Sequence, residues 1–319
     1  MNDISLGRDL HIDAVLSGIM LGRQPSGYIA DQIVPILGVS KRSDVYYKTN
    51  HLEFRRYQAG LTNRAPGTAA RKVSFSVSSD TFYAKNYALG ADMVVEDIVT
   101  ADDVLDWANT HAGLVTEMLK IDYEVRIATL ASDTTKINTI TNVATAWSNV
   151  TGSRPLDDLD TMKEAFRLNT GLLPNVVIYP EEVGVVLRKN DQVRDRLFGD
   201  RGGTATDAQI GALINIGKVL VPSILINSAG IGETLAGSGE MHGAWAKQVT
   251  MLHVNPLPGR QIDTWVQGFR WTSPQFGVPW AVQRHPFDSE RLKYALSVGY
   301  YQDEKVISKD LAWAINSVM

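Results

Sequence analysis

The sequence predicts an α+β fold organised around an extended β-hairpin and one long helix. Three observations carry that expectation. A basic, Gly/Pro-punctuated stretch over 41–72 runs into alternating Val73, Phe75 and Val77, the period of a half-exposed strand. An uninterrupted helical pattern follows from Thr100 to Ser132. Beyond 151, short apolar runs alternate with short helical patterns before two long alternating strands close the chain, which reads as a compact α/β lobe and a β return.

Residues 1–43 read as an arm with short helical pieces. Ile12, Val15, Leu16 and Ile19 have helical spacing, and Ile29, Ile33, Val34 and Ile36 form a second piece stopped near Pro35. The hairpin occupies 44–94. Asp44–Thr49 is rich in aromatic and β-branched residues, which favours a strand. Ala59–Thr68 is turn-rich, and Phe82, Tyr83, Tyr87 and Leu89 extend the second limb. A hairpin of this length buries little of itself and needs another surface.

Thr100 is placed to cap the long helix, with Asp103 at the third position. Val104, Ala108, Ala112, Val115 and Leu119 form one apolar stripe, and Trp107, Leu114, Met118, Ile121, Val125 and Ala128 an adjoining one. At 1.5 Å per residue the helix spans about 48 Å, more than a small domain needs. In the lobe, Pro155 opens a helix that runs to about Asn169 and ends at Gly171. Val176–Tyr179 is a buried strand, Glu181–Lys189 and Gln192–Leu197 are short helices, and Ala208–Ile216 is helical. Val219–Val221 and Ile224–Ile226 are strands, 228–243 is a Gly-rich loop, and Ala244–Val254 and Gln261–Gly268 are strands. Val278–His285 and Arg291–Tyr301 form the long return, and Leu311–Ile315 is apolar enough to be buried.

Charge is segregated along this order. Residues 41–72 carry Lys41, Arg42, Lys48, Arg55, Arg56, Arg64, Arg71 and Lys72 against Asp44 and Glu53. Residues 96–124 carry Glu96, Asp97, Asp102, Asp103, Asp106, Glu117, Asp122 and Glu124 against Lys120. The chain as a whole has net charge −4 over 319 residues, which argues against a protein that coats nucleic acid. Phe54 and Tyr57 beside Arg55 and Arg56 resemble a base-stacking platform. A contact between subunits is the favoured reading, because the same chain supplies acidic surface. The expected contact residues are therefore Arg55, Arg56, Arg64, Arg71 and Lys72 on one subunit and Asp102, Asp103 and Asp106 on its neighbour.

Catalytic chemistry finds little support. With no cysteine in the chain, disulfides, thiolate metal sites and cysteine nucleophiles are excluded. Gly230-Ile-Gly232 and Gly237-Ser-Gly239 do not complete a nucleotide-binding glycine pattern, since Leu235 stands at the third glycine position. No histidine pair has metalloprotease spacing; His242 and His253 stand where neighbouring strands could bring them together, but ordinary structural histidines are the favoured reading. Asp157, Asp158 and Asp160 fit the positive end of a helix dipole better than a calcium site. No catalytic, cofactor or metal residue is predicted. The N-terminus lacks the basic start and apolar core of a secretory signal. No apolar run approaches the roughly 20 residues needed to span a bilayer.

Taken in order, these pieces resemble the major capsid proteins of tailed bacteriophages, the Hong Kong 97-type fold. The run from Pro174 to Leu197, with Pro180, Asn190, Val193 and Leu197, looks like the strand, proline and helix of that family's axial domain. Ala208–Pro222 resembles its next helix and strand, and Val278–Tyr301, with the Asp288–Arg291 turn, its peripheral strands. The resemblance implies an N-terminal arm (1–43), an extended loop (44–94), a peripheral domain with a spine helix (95–150), an axial domain (151–262) and peripheral return strands with the C-terminal end (263–319). It implies self-assembly as pentamers and hexamers into an icosahedral shell, built in the bacterial cytoplasm and enclosing double-stranded DNA without reading its sequence. Portal, cement and separate scaffold proteins are the implied partners; no cofactor, membrane or enzymatic activity is. Some members crosslink a hairpin lysine to a neighbour, but no motif selects Lys48, Lys72 or Lys85, and crosslinking is not expected. Two alternatives stand beside this reading: an encapsulin-type nanocompartment of the same fold, and, more distantly, a soluble α/β enzyme using the 228–243 loop.

Overall fold

The computed structural model describes residues 11–12, 27–48, 57, 59, 62–72, 78–96, 104–140, 143–199, 203–227, 241–257, 259, 263–274, 278–316 and 318–319. In chain order the first elements are β1 (His11–Ile12), α1 (Ala30–Ile33), β2 (Ile36–Val39), β3 (Ser43–Lys48), β4 (Ser78–Tyr83) and β5 (Lys85–Val94). The long helix α2 (Val104–Ser132) and β6 (Asn138–Ile140) follow. The lobe comprises α3 (Pro155–Thr170), β7 (Val176–Ile178), α4 (Glu181–Lys189), α5 (Asp191–Phe198), α6 (Asp207–Leu213), β8 (Lys218–Leu220), β9 (Leu225–Asn227), β10 (Met241–Gly243) and β11 (Val249–Leu252). The return consists of β12 (Val266–Trp271), β13 (Trp280–Arg284), β14 (Lys293–Val306) and β15 (Ala312–Ile315).

One sheet is organised by β14, which pairs with β5 along one edge, and with β13 and then β12 along the other. β1 extends it beyond β13, and β2 extends it beyond β12. A second sheet has the order β6-β15-β11-β7-β8. β11 lies at its centre and is buried along its whole length, as a strand covered on both faces must be.

The helix α2 is 29 residues long, about 43 Å at 1.5 Å per residue. Its first half packs Ala112, Val115 and Leu119 onto Met93, Leu296, Val298 and Tyr300 of the β14 sheet. Its second half packs Tyr123, Ile127, Ala128 and Ala131 into a core shared with Ile29, Ile33, Trp245 and Trp265. The helices α3 to α6 cover the β15-β11-β7 sheet with Phe166 turned to one core and Leu159, Met162, Val183 and Leu187 to another. Gly171 caps α3 in the left-handed region at φ 66°, a conformation that disfavours a Cβ.

Several expectations meet the structure differently. Residues 85–94 do not continue the free hairpin limb; they pair with β14 over ten positions. Leu114 and Met118, placed in an apolar stripe, are more than half exposed, because α2 turns only one face to the β14 sheet. Glu124, counted among the helix's surface acids, is 1% exposed. His242 pairs with Ile226 in a separate two-stranded sheet, while His253 contacts Leu173 O through Nδ1, so the two histidines are not cross-strand neighbours. The Thr100 cap, Val15, Leu16 and Ile19, the alternation over 73–77 and the glycines at 230–239 lie outside the described residues.

Candidate assembly surfaces

The hairpin is held at its root. β3 and β4 pair antiparallel from Ser43↔Tyr83 to Lys48↔Ser78, which puts Tyr46 and Phe82 on one face. Both are buried against Phe269 and Ile307 of the return; Phe82 stacks on Phe269 with ring centroids 4.5 Å apart. The Tyr83 N–H donates to Asp303 Oδ2 at 2.8 Å. Arg42 Nε donates to Ala84 O at 3.1 Å, and its guanidinium lies 4.7 Å from the Tyr83 ring centroid and 5.3 Å from that of Tyr301. Lys48 Nζ pairs with Asp80 at 2.7 Å, and this bond with the Thr81 N–H holds the Asp80 carboxyl down at about 2. The other face of the root carries Val45, Tyr47 and Tyr83, each about half exposed.

Towards the tip, Arg64, Arg71 and Lys72 are exposed. Arg64 Nε donates to Thr68 O across the 65–68 turn, so that side chain folds back on its own loop. Arg55, Arg56, Asp102 and Asp103 lie outside the described residues. Asp106 falls within α2, but its side chain is also outside them. Of the eight residues expected at the contact, Arg64, Arg71 and Lys72 have described side chains, and all three face outward.

Two polar clusters lock α2 to the rest of the molecule, and sequence reading missed both. Glu124 accepts from the Ile29 and Ala30 N–H groups and from Trp245 Nε1, all at 2.9–3.2 Å. The arm, the helix and the lobe thus meet at one carboxylate. Burial pushes its pKa up, while its donors pull the other way without cancelling the shift. Its signal in the sequence was position: residue 124 sits between Tyr123 and Ile127 on the buried side of α2. Two residues on, Arg126 pairs with Asp122, with Glu304 at 3.1 Å and with Tyr300 Oη at 2.9 Å, and stacks 3.7 Å above the Tyr87 ring centroid. Burial works against its charge, but Tyr300 and Glu304 prevail and its pKa rises.

No group of three metal-ligating side chains occurs among the described residues. Asp158 accepts from Trp147 Nε1 at 2.8 Å and Asp157 from Gln192 Nε2 at 2.9 Å, so both acids have structural partners. No helix among the described residues is long and apolar enough to cross a membrane.

No family model matches the chain, and no curated protein matches it in sequence. Solved structures do match its shape. A phage-related protein from Bordetella bronchiseptica superposes with TM-score 0.75 at 18% identity, over 97% of this chain and 98% of that one. The capsid of cyanophage P-SCSP1u gives 0.56 at 14% identity over 92% and 90%. The holo encapsulin complex of Synechococcus elongatus gives 0.52 at 10% identity over 97% and 96%. These matches each extend over nine-tenths or more of this chain, and the chain has the Hong Kong 97-type capsid fold.

Proposed function

We propose that this chain is a structural shell subunit rather than an enzyme, and specifically the major capsid protein of a tailed bacteriophage. The observation that carries the reading is end-to-end likeness: the shape match to the phage-related protein leaves only a few per cent of either chain uncovered. In this reading copies assemble as pentamers and hexamers into an icosahedral shell around double-stranded DNA, in the bacterial cytoplasm. Portal, scaffold and cement proteins would be separate partners. The axial lobe (151–262) gathers around the capsomer axis, the peripheral parts (95–150 and 263–319) form the outer triangle, and the hairpin lies on the adjacent subunit. Arg55, Arg56, Arg64, Arg71 and Lys72 then meet the neighbour's Asp102, Asp103 and Asp106. Exposed pairs contribute only about 0–1 kcal/mol each. Their role is register, with closure multiplying many modest contacts.

The encapsulin match, at TM-score 0.52, supports a second reading as a cargo compartment. Expression of the chain followed by size-exclusion chromatography and electron microscopy tests both. Closed particles support a shell; a monodisperse monomer stabilised by a small ligand refutes it. DNA-filled, tailed particles from the native source support the phage reading, and an enzyme packed inside supports the compartment.

A further inference from the structure

We infer that the slot between β2 and β3 receives an extended segment of a second copy of this chain, added as a β-strand. The inference rests on the shell reading, which supplies a neighbour to every subunit.

Among the described residues, β2 is the end strand of the β14 sheet and pairs with β12 alone, and β3 pairs with β4 alone. Three residues, 40–42, join β2 to β3, yet the two strands form no ladder with each other. The connection is pinned apart from both sides. Trp271 Nε1 donates to Ser40 O at 3.1 Å, and Arg42 is held by Ala84 O and two tyrosine rings. Between the strands lies a cavity of about 370 Å³, floored by Leu37, Tyr46, Phe82 and Phe269. At its rim Lys41 and Asp44 neutralise each other 3.8 Å apart, so it offers little net charge to an ionic ligand.

Strand edges offer backbone N–H and C=O groups to another extended backbone. The ladder alternation is set by the Ala84 N–H donating to Arg42 O at 2.8 Å. Residues 42, 44, 46 and 48 therefore bond to β4, and the N–H groups of 43, 45 and 47 point to the free edge. The Val45 N–H is occupied only by the adjacent Asp44 Oδ1, at 2.9 Å, a local partner that an incoming strand would displace.

Gly38 identifies the occupant as backbone. A glycine inside a strand weakens it, and one common reason for keeping it is close approach by another backbone. Gly299 has such a reason within the chain: a Cβ there would meet Ala88 Cβ at 2.9 Å and the backbone Tyr87 O at 3.1 Å. Gly38 lines the cavity, has no left-handed φ, and no atom lies within 4 Å of where its Cβ would stand. The described chain gives no internal reason for a glycine there; a partner strand does.

The test uses the full chain. Val45→Pro removes a free-edge N–H while leaving the β3–β4 ladder intact, and Asp44 already has the extended backbone that a following proline requires. Val45→Ala is its control. Expected is a Val45→Pro subunit with wild-type circular dichroism and melting but loss of particles, while Val45→Ala assembles. Ser40→Cys, a near-isosteric change at another residue lining the cavity, places the only thiol in the chain at the slot; it should react with a maleimide in dissociated subunits and be protected in particles. Particle formation by Val45→Pro equal to that of Val45→Ala, or equal thiol reactivity in both states, overturns the inference. Should Val45→Pro misfold, the thiol measurement decides alone. If the unsubstituted chain forms no particle at all, the shell reading itself fails and takes this inference with it.

Discussion

Replacing Glu124 tests whether one buried carboxylate fixes the junction of arm, helix and lobe. Its Oε1 accepts from Trp245 Nε1 at 2.9 Å and from the Ile29 N–H at 3.1 Å; Oε2 accepts from the Ala30 N–H at 2.9 Å and from the Ile29 N–H at 3.2 Å. Glu124→Gln keeps the shape but turns an NH2 toward one of these donors. Leaving one buried donor unpaired costs about 1–3 kcal/mol. Glu124→Ala strands all three donors and opens a small cavity, so it should cost roughly 3 kcal/mol or more. Guanidinium titration of dissociated subunits reads this as a falling midpoint at constant slope, in the order wild type, Gln, Ala. A Gln variant within about 0.5 kcal/mol of wild type would refute the reasoning, since that is the range of a neutral surface substitution. The pH dependence adds a second check. Because burial raises the Glu124 pKa, the folded chain holds a proton that the unfolded chain has lost between the ordinary carboxylate value and the raised one. Stability from this group is therefore fully present below that window and declines as pH rises through it. The advantage of wild type over Gln should shrink from acid towards neutral pH; growth instead would mean that the three donors outweigh burial.

Arg126→Met should destabilise the subunit by about 3–5 kcal/mol, because Glu304, with its side chain 6% exposed, is left without its cation; adding Glu304→Gln should restore part of the loss in the same unfolding assay. Gly171→Ala forces a Cβ into the left-handed region at φ 66° and is expected to cost about 1–2 kcal/mol, read as a lower melting temperature. Asn190→Ala removes the side chain that accepts from the Gln192 N–H at 3.0 Å and donates to Ser153 Oγ at 2.7 Å, with an expected loss of about 1–2 kcal/mol. Reversing Arg55 and Arg56 to Glu should impair particle formation on sizing columns while leaving the unfolding midpoint unchanged; normal particles would exclude these arginines from the contact.

Much of the architecture was legible because its signals are local. The period of α2, the Pro155 start and Gly171 stop of α3, and the apolar run 176–178 are each written in neighbouring residues. What stayed hidden depends on distant partners. β5 reads as hairpin limb until β14, two hundred residues later, is there to pair with it. Glu124 reads as a surface acid beside Asp122, and only the fold brings Ile29, Ala30 and Trp245 to it. Leu114 and Met118 show the converse: their spacing is right for a core, but no described element covers that side of α2. Periodicity reports that a face is apolar; it does not report whether the chain has anything to put against it.

The same distinction explains how weak hairpin contacts would still be useful in assembly. A flexible loop meeting a neighbour loses the freedom of every residue it orders, about 1–2 kcal/mol each for the backbone, more than an exposed ion pair returns. Here the root is ordered before any neighbour arrives. Tyr46 and Phe82 are fixed on Phe269, Tyr83 is tied to Asp303, and Arg42 is clamped between rings. Contacts made by such a preformed root keep most of their gross energy, whereas contacts at the tip, where Arg64 binds its own loop, must first displace local ones. Substitutions at the root should therefore alter assembly more per residue than substitutions at the tip, even though the tip carries more of the charge.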